Sequence, residues 1–160
     1  MNENRGYKII AIVALVIGIV GVTLGYAAFS STLTISSSVR ILGENPFFGA
    51  CNVKNFSLND ANTDLVYVNG GLYDINMTTL YWFFPEHEGG KVVLPESVRN
   101  ICAGAFYGSG ITTVTIGKNV TTIGAYAFAN CESLAEVIFE ESDVQKKIDE
   151  TAFDEGVLGE

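Results

Sequence analysis

Residues 94–115 read LPESVRNICAGAFYGSGITTVT, and residues 116–138 read IGKNVTTIGAYAFANCESLAEVI. Laid over each other, the two stretches keep one order of apolar residues. Leu94 pairs with Ile116, Val98 with Val120, Ile101 with Ile123, and Ala105-Phe106 with Ala127-Phe128. After one inserted residue, Ile111 pairs with Leu134, Val114 with Val137, and Ile116 with Phe139. The steps are 22 and 23 residues, a period that marks a stack of short structural units. Residues 111–116 (ITTVTI) and 134–139 (LAEVIF) alternate, so each predicts a short strand. Pro95-Glu96 and Gly117-Lys118 supply the turns that follow, and the Ala-Phe pair falls on a short helical or irregular return leg. One such unit cannot bury its Val, Ile and Phe; stacked units can.

A degraded third copy follows, in which Val144, Ile148 and Ala152-Phe153 repeat the order with altered spacing. It fits a closing cap over the last apolar face. Upstream, LVYV at 65–68, Asn69-Gly70-Gly71 and LYDI at 72–75 predict a β-hairpin. TTLYWFF at 78–84 continues as a strand with aromatic residues on both faces. The simplest role for Tyr81, Trp82, Phe83 and Phe84 is to cover the open face of the first repeat; the other is an exposed aromatic contact site.

The pattern V-x-x-I-G-x-x-A-F-x-x-C-x-S-L-x-x-V-x-F at 120–139 resembles the BspA-type leucine-rich repeat. Residues 69–98 resemble that family's interrupted unit, and the likeness extends over about residues 53–153. The sequence departs from the pattern at Cys102, where the family has glycine, and in the Ser109-Gly110 loop, one residue short of Cys131-Glu132-Ser133. The resemblance implies a solenoid and a cell-surface attachment role, with Cys131 as a packed core thiol. The short strands of such stacks line one concave face. Its outward positions here are Lys91 and Val93, Thr113 and Thr115, and Glu136 and Ile138, the expected contact residues.

Ahead of the repeats, residues 9–29 read IIAIVALVIGIVGVTLGYAAF, without a charge. A helix of that length spans a ~30 Å hydrocarbon core. Arg5 and Lys8 precede it and Arg40 is the next base, which orients the N-terminus inside. The run is longer than a usual signal core, which favours an anchor; Gly25-Tyr26-Ala27 also offers cleavage after Ala27. Either fate exports the rest. No lipoprotein cysteine, pilin Glu or sortase signal stands at the required position. Residues 30–38 (SSTLTISSS) read as a flexible spacer or, by the alternation of Leu33 and Ile35, a short strand.

The expected fold is therefore an N-terminal transmembrane or signal helix plus a small β-rich (α+β) leucine-rich repeat solenoid with a preceding β-hairpin. The expected segments are a cytoplasmic region 1–8, a membrane segment 9–29, a spacer 30–52, a hairpin and interrupted unit 53–93, and repeats with a cap 94–160.

Charge narrows the partners. The net charge is −9, and 17 of the 18 acids follow residue 43, against seven bases beyond the apolar run. Such a domain repels nucleic acid and anionic lipid surfaces, since phosphate binding needs clustered Lys and Arg. Catalytic constellations are missing from the sequence: there is no G-x-S-x-G, HExxH or P-loop. His87, the only histidine, lies in Glu86-His87-Glu88 beside Gly89-Gly90 and reads as a solvated turn. Cys51, Cys102 and Cys131 form no CxxC and match no zinc spacing; they read as small buried hydrophobes, with a single disulfide outside the cell as the alternative. Asp60, Asn62 and Asp64 open like a calcium loop, but Leu65 replaces the turn glycine and Gly71 the final Glu, so a polar turn fits better. Asn55, Asn76 and Asn119 head sequons, which matter only in a eukaryotic secretory pathway. No metal, cofactor or enzymatic role is expected. The expected function is a cell-surface adhesion module that binds an extracellular protein. The alternative is a structural envelope protein that self-associates.

Overall fold

The computed structural model describes residues 32–40, 45–50, 53–84 and 90–157. The membrane segment, Cys51 and the Glu86-His87-Glu88 turn lie outside those residues. Among the described residues no helix is long and apolar enough to cross a membrane.

The chain forms a β-solenoid. Among the described residues eleven strands run in chain order: β1 Thr32–Ile35, β2 Asn55–Leu58, β3 Leu65–Val68, β4 Gly71–Asp74, β5 Thr79–Phe83, β6 Lys91–Val93, β7 Asn100–Ile101, β8 Thr113–Ile116, β9 Thr122–Ile123, β10 Glu136–Phe139 and β11 Lys147–Ile148. Each of four coils contributes one strand (β5, β7, β9, β11) to a long sheet, β11-β9-β7-β5-β4-β3, which the hairpin β3-β4 completes, and the first three coils contribute one to a short sheet, β10-β8-β6. The coils pair in parallel with the sequence repeat as register: Ile101 stands beside Ile123, and Val114 stands between Val92 and Val137.

The interior follows from that register. Equivalent residues of successive coils lie one above another, so Phe83, Phe106, Phe128 and Phe153 stack with centroid spacings of 4.8, 4.7 and 4.7 Å. That spacing matches the distance between neighbouring strands, so the rings keep step with the backbone. Val98, Ile101, Ala105 and Ile111 surround the stack and are almost fully buried, as are their equivalents Val120, Ile123 and Ala127.

The return legs are turns, and no helix occurs among the described residues, which corrects the expected helical option and the α component of the fold. The hydrogen bonds explain why. Gly104 and Phe106 donate their N–H groups to the carbonyls of Ala125 and Ala127 of the next coil, and Ala105 and Tyr107 close four-residue turns onto Cys102 and Gly104. A left-handed residue, Gly104 (φ 62°) or its equivalent Tyr126 (φ 55°), interrupts each leg. Main-chain donors committed between coils, with a left-handed residue between them, cannot propagate an α-helix.

The hairpin forms as expected. Asn69 and Gly70 both take positive φ (48° and 85°) and join β3 to β4 as a two-residue turn, with Gly71 already in the strand. A β-bulge sits between β4 and β5: Leu72 faces Trp82 and Tyr73 faces Leu80, so Tyr81 is the extra residue. A regular strand would send Leu80 and Trp82 to one face. The bulge instead keeps Leu80 and Phe83 on the repeat core and turns Tyr81 and Trp82 to the opposite side.

There a second core forms from Ile35, Val39, Phe47, Leu65, Leu72 and Trp82. Residues 30–38 therefore supply a strand: β1 pairs in parallel with β2, and Ile35 is wholly buried. Asn62 ties this region together. Its buried amide donates to the carbonyls of Ser36 and Val39, and its Oδ1 accepts from the N–H groups of Asp64 and Leu65. The aromatic residues of β5 thus cover the first coil from both sides, with Trp82 and Phe83 each only 1% exposed.

Candidate functional site

The six expected contact residues all lie on the short sheet, and the register sorts them into two rows. Lys91, Thr113 and Glu136 are direct cross-strand neighbours, and so are Val93, Thr115 and Ile138. Alternation explains the sorting: Val92, Val114 and Val137 point inward, so the residues on either side of them point out. At ordinary strand spacing each row spans about 10 Å. The first row runs from a cation through a hydroxyl to an anion. The second has an apolar residue at each end; Val93 is 71% exposed and Ile138 41% exposed. Both threonines are half-buried between their neighbours.

No described residues gather three or more His, Cys, Asp or Glu side chains in a geometry that holds a metal ion. The thiols are shielded. Burial, with the negative charge of Asp74 adding to it, pushes the Cys102 thiol up to about 11. Burial also pushes Cys131 up to about 11, against hydrogen bonds from the Ser109 and Gly108 main chain. The Cys131 Sγ lies 3.0 Å from the Phe106 carbonyl, inside the core. Both thiols are free and stay protonated at neutral pH, the opposite of what a nucleophile needs. Asn62, in the stretch that begins like a calcium loop, spends its side chain on four main-chain groups, as a turn-forming asparagine does.

Two surface features escaped the sequence reading. The strap at residues 45–50 lies across the repeats: the Asn45 amide donates to the Ala103 carbonyl at 2.8 Å, and Phe48 packs over Gly104 against Tyr107 and Tyr126. A side chain at 104 would collide with the Phe48 ring. The alternation of Gly104 with Tyr126 at one repeat position was the available signal. The second feature is the outer edge of β10. The fourth coil lays β11 on β9 and Phe153 on Phe128, yet among the described residues no strand pairs with β10 on its far side.

Residues 81–158 match the family described as "BspA type Leucine rich repeat region (6 copies)". This chain carries a BspA-type leucine-rich repeat region. The match begins inside β5, so the family pattern covers the ring stack and the short sheet, while β1 to β4 precede it. Among solved structures, the crystal structure of the pneumococcal vaccine antigen PcpA is similar to this chain at 21% identity and a TM-score of 0.59, covering 71% of this chain and 28% of that one. A leucine-rich repeat protein from Eubacterium ventriosum is similar at 25% identity and a TM-score of 0.53, covering 71% of this chain and 37% of that one. This chain therefore spans well under half the length of either neighbour. No curated protein sequence matches it.

Proposed function

We propose that this protein is a protein-binding module displayed outside the cell, which contacts an extracellular protein through the outward face of the short sheet. The observation that carries the reading is the alignment of Lys91, Thr113 and Glu136, and of Val93, Thr115 and Ile138, across three neighbouring strands. A pair of exposed aliphatic side chains flanked by one positive and one negative group offers both burial and orientation to a partner. Display outside follows from the charge-free run at 9–29 with its bases on the N-terminal side, acting as anchor or signal, ahead of the acidic repeats. Repeat folds host many ligands, so the face and not the fold identifies the contact. Adhesion is the specific role this reading assigns.

The test is capture of the full chain, carried in nonionic detergent, on immobilised extracellular-matrix proteins. The wild type is compared with the triple variant Thr113→Arg, Thr115→Glu, Glu136→Lys. The reading expects at least tenfold lower recovery of the variant at equal folded content, since 1.4 kcal/mol of lost contact is a factor of ten. Equal recovery removes the face from the function. Protease treatment of intact cells tests display: the repeats should be cut while the first eight residues are spared.

A further inference from the structure

The outer edge of β10 has its own consequence, independent of the face beside it. Glu136 and Glu140 donate their N–H groups toward β8, to the carbonyls of Thr112 and Ile116. In a parallel ladder alternate residues turn their N–H and C=O groups the other way. Val137 and Phe139 therefore point two donors and two acceptors away from the sheet, and no described residue pairs with them. An edge of this kind is a template for an added strand. Natural edges are blunted with proline, a bulge, shortness or a charge, lysine above all; β10 reads EVIF, with neither proline nor bulge, and its one charge, on Glu136, is negative.

The surroundings restrict what can be added. β11 and Phe153 stand one coil beyond β10, so they form a step beside its edge. At the other end of the solenoid the long sheet runs on through β4 and β3, past the level of β6. A second copy stacked head to tail would have to fit β11, β3 and β4 into the gap of one strand spacing, about 5 Å. A copy related by a two-fold axis would bring its own β11 into the same gap. A single extended segment meets neither obstacle. Its charge is favoured by the acids on and next to β10 in the chain: Glu132, Glu136, Glu140, Glu141 and Asp143 are all exposed, and the first bases after them are Lys146 and Lys147, at the step. The floor of the step is apolar, with half-buried Phe139 and Phe153 in edge-to-face contact at 6.5 Å.

We propose that the outer edge of β10 takes up an extended, cationic segment of a partner polypeptide as an added strand, with alternate apolar side chains on Phe139 and Phe153. Main-chain hydrogen bonds to Val137 and Phe139 hold the segment, and the carboxylates select its charge.

The probe is a dye-labelled eight-residue peptide alternating lysine and valine, titrated into the full chain in nonionic detergent and read by fluorescence anisotropy. Its controls are a glutamate–valine peptide and a lysine–valine peptide N-methylated at each valine, which keeps the charge and loses the donors. Val137→Pro removes an outward N–H and leaves the β8 ladder intact, as edge strands tolerate. Circular dichroism and the urea midpoint verify its fold. The Glu141→Lys, Asp143→Lys double variant changes charge without touching the edge. The proposal expects saturable binding of the lysine–valine peptide alone, weakened about tenfold or more by N-methylation and by Val137→Pro, and weakened by the double variant. Equal binding of the plain and methylated peptides, or unchanged binding to folded Val137→Pro, overturns it, because charge alone would then suffice. Self-association abolished by Val137→Pro, or peptide binding gained only on removal of residues 158–160, assigns the edge to a second copy or to the chain's own tail and overturns it too. Matrix capture by the Thr113/Thr115/Glu136 face is scored separately on Val137→Pro, so either idea can fail without the other.

Discussion

The two cores of this protein share a wall and are built by opposite rules. The repeat core is one layer copied: a Phe recurs at each coil, an Ile and an Ala at each coil after the first, and the Phe rings lie on each other at 4.7–4.8 Å. The second core copies nothing. Phe47 stacks on Trp82 at 5.5 Å, Phe56 meets Trp82 edge-on at 5.3 Å, and Phe56 also meets Tyr67. The first core gains its order from translation, so damage to one rung is passed to both neighbours. The second gains it from a unique aromatic packing pinned by Asn62, so damage there should stay local. The bulge at Tyr81 lets one sheet serve both.

The comparison breaks most decisively at the middle of the ring stack. Phe106→Ala removes a fully buried ring from between two others and is expected to cost about 3–5 kcal/mol in urea unfolding. Phe153→Ala, at the half-exposed end, should cost about half as much. Equal costs would mean that the stack has no interior. Trp82→Ala is also expected to cost about 3–5 kcal/mol, with a different distribution. Hydrogen exchange should accelerate in β1, β2 and the strap while β8 and β10 stay protected. Uniform acceleration would merge the two cores into one cooperative unit. Asn62→Ala should cost about 2–3 kcal/mol, because it strands buried main-chain groups of the second core without removing apolar area.

A smaller effect appears in alkali. Burial raises the Cys131 thiol from 9.0 to about 11 and the Tyr73 hydroxyl from 10.0 to about 12, both in the repeat core. The unfolded chain loses these protons first, so it binds fewer protons than the folded one across that window. Stability should be flat below pH 9 and fall as pH rises through 11 and then 12. Urea midpoints measured from pH 8 to 11 test this, and Cys131→Ala should flatten the first part of the decline. At neutral pH a two-unit rise leaves the thiolate about 100-fold scarcer, so alkylation of Cys131 should be slow until the coil opens. Smallest of all, Val144→Ser at the exposed end coil should move stability by no more than about 0.5 kcal/mol.

That last residue marks where the sequence reading and the structure part. Val144 and Ile148 stand where Val120 and Ile123 stand one coil earlier, yet they are 45% and 38% exposed against 0% and 1%. Period and identity were legible; burial was not, because burial needs a following coil. The same limit explains the return legs, where Ala-Phe pairs allow helix or turn until the N–H groups are seen to bond between coils. The hairpin was legible because Asn69-Gly70 sets its geometry locally. The second core was largely hidden: Ile35, Phe47 and Trp82 are far apart in the chain, recur nowhere, and meet through one bulge. For the six proposed contact residues, period placed them in two rows, since a repeat step is also a strand register. The open edge of β10 was invisible for the opposite reason: it is set by where pairing stops.

The ring stack also makes length a free quantity. Each coil bonds to the next as that one bonds to its successor, so the geometry of the junction at β5 does not depend on how many coils follow. Beyond the third coil, which the strap reaches through Phe48 and Tyr126, whole units of 22 or 23 residues can be gained or lost without refitting the N-terminal core. Each unit lengthens the molecule by one strand spacing, about 5 Å. A lineage could thus adjust how far its outermost coil stands from the first by copying a short stretch of sequence.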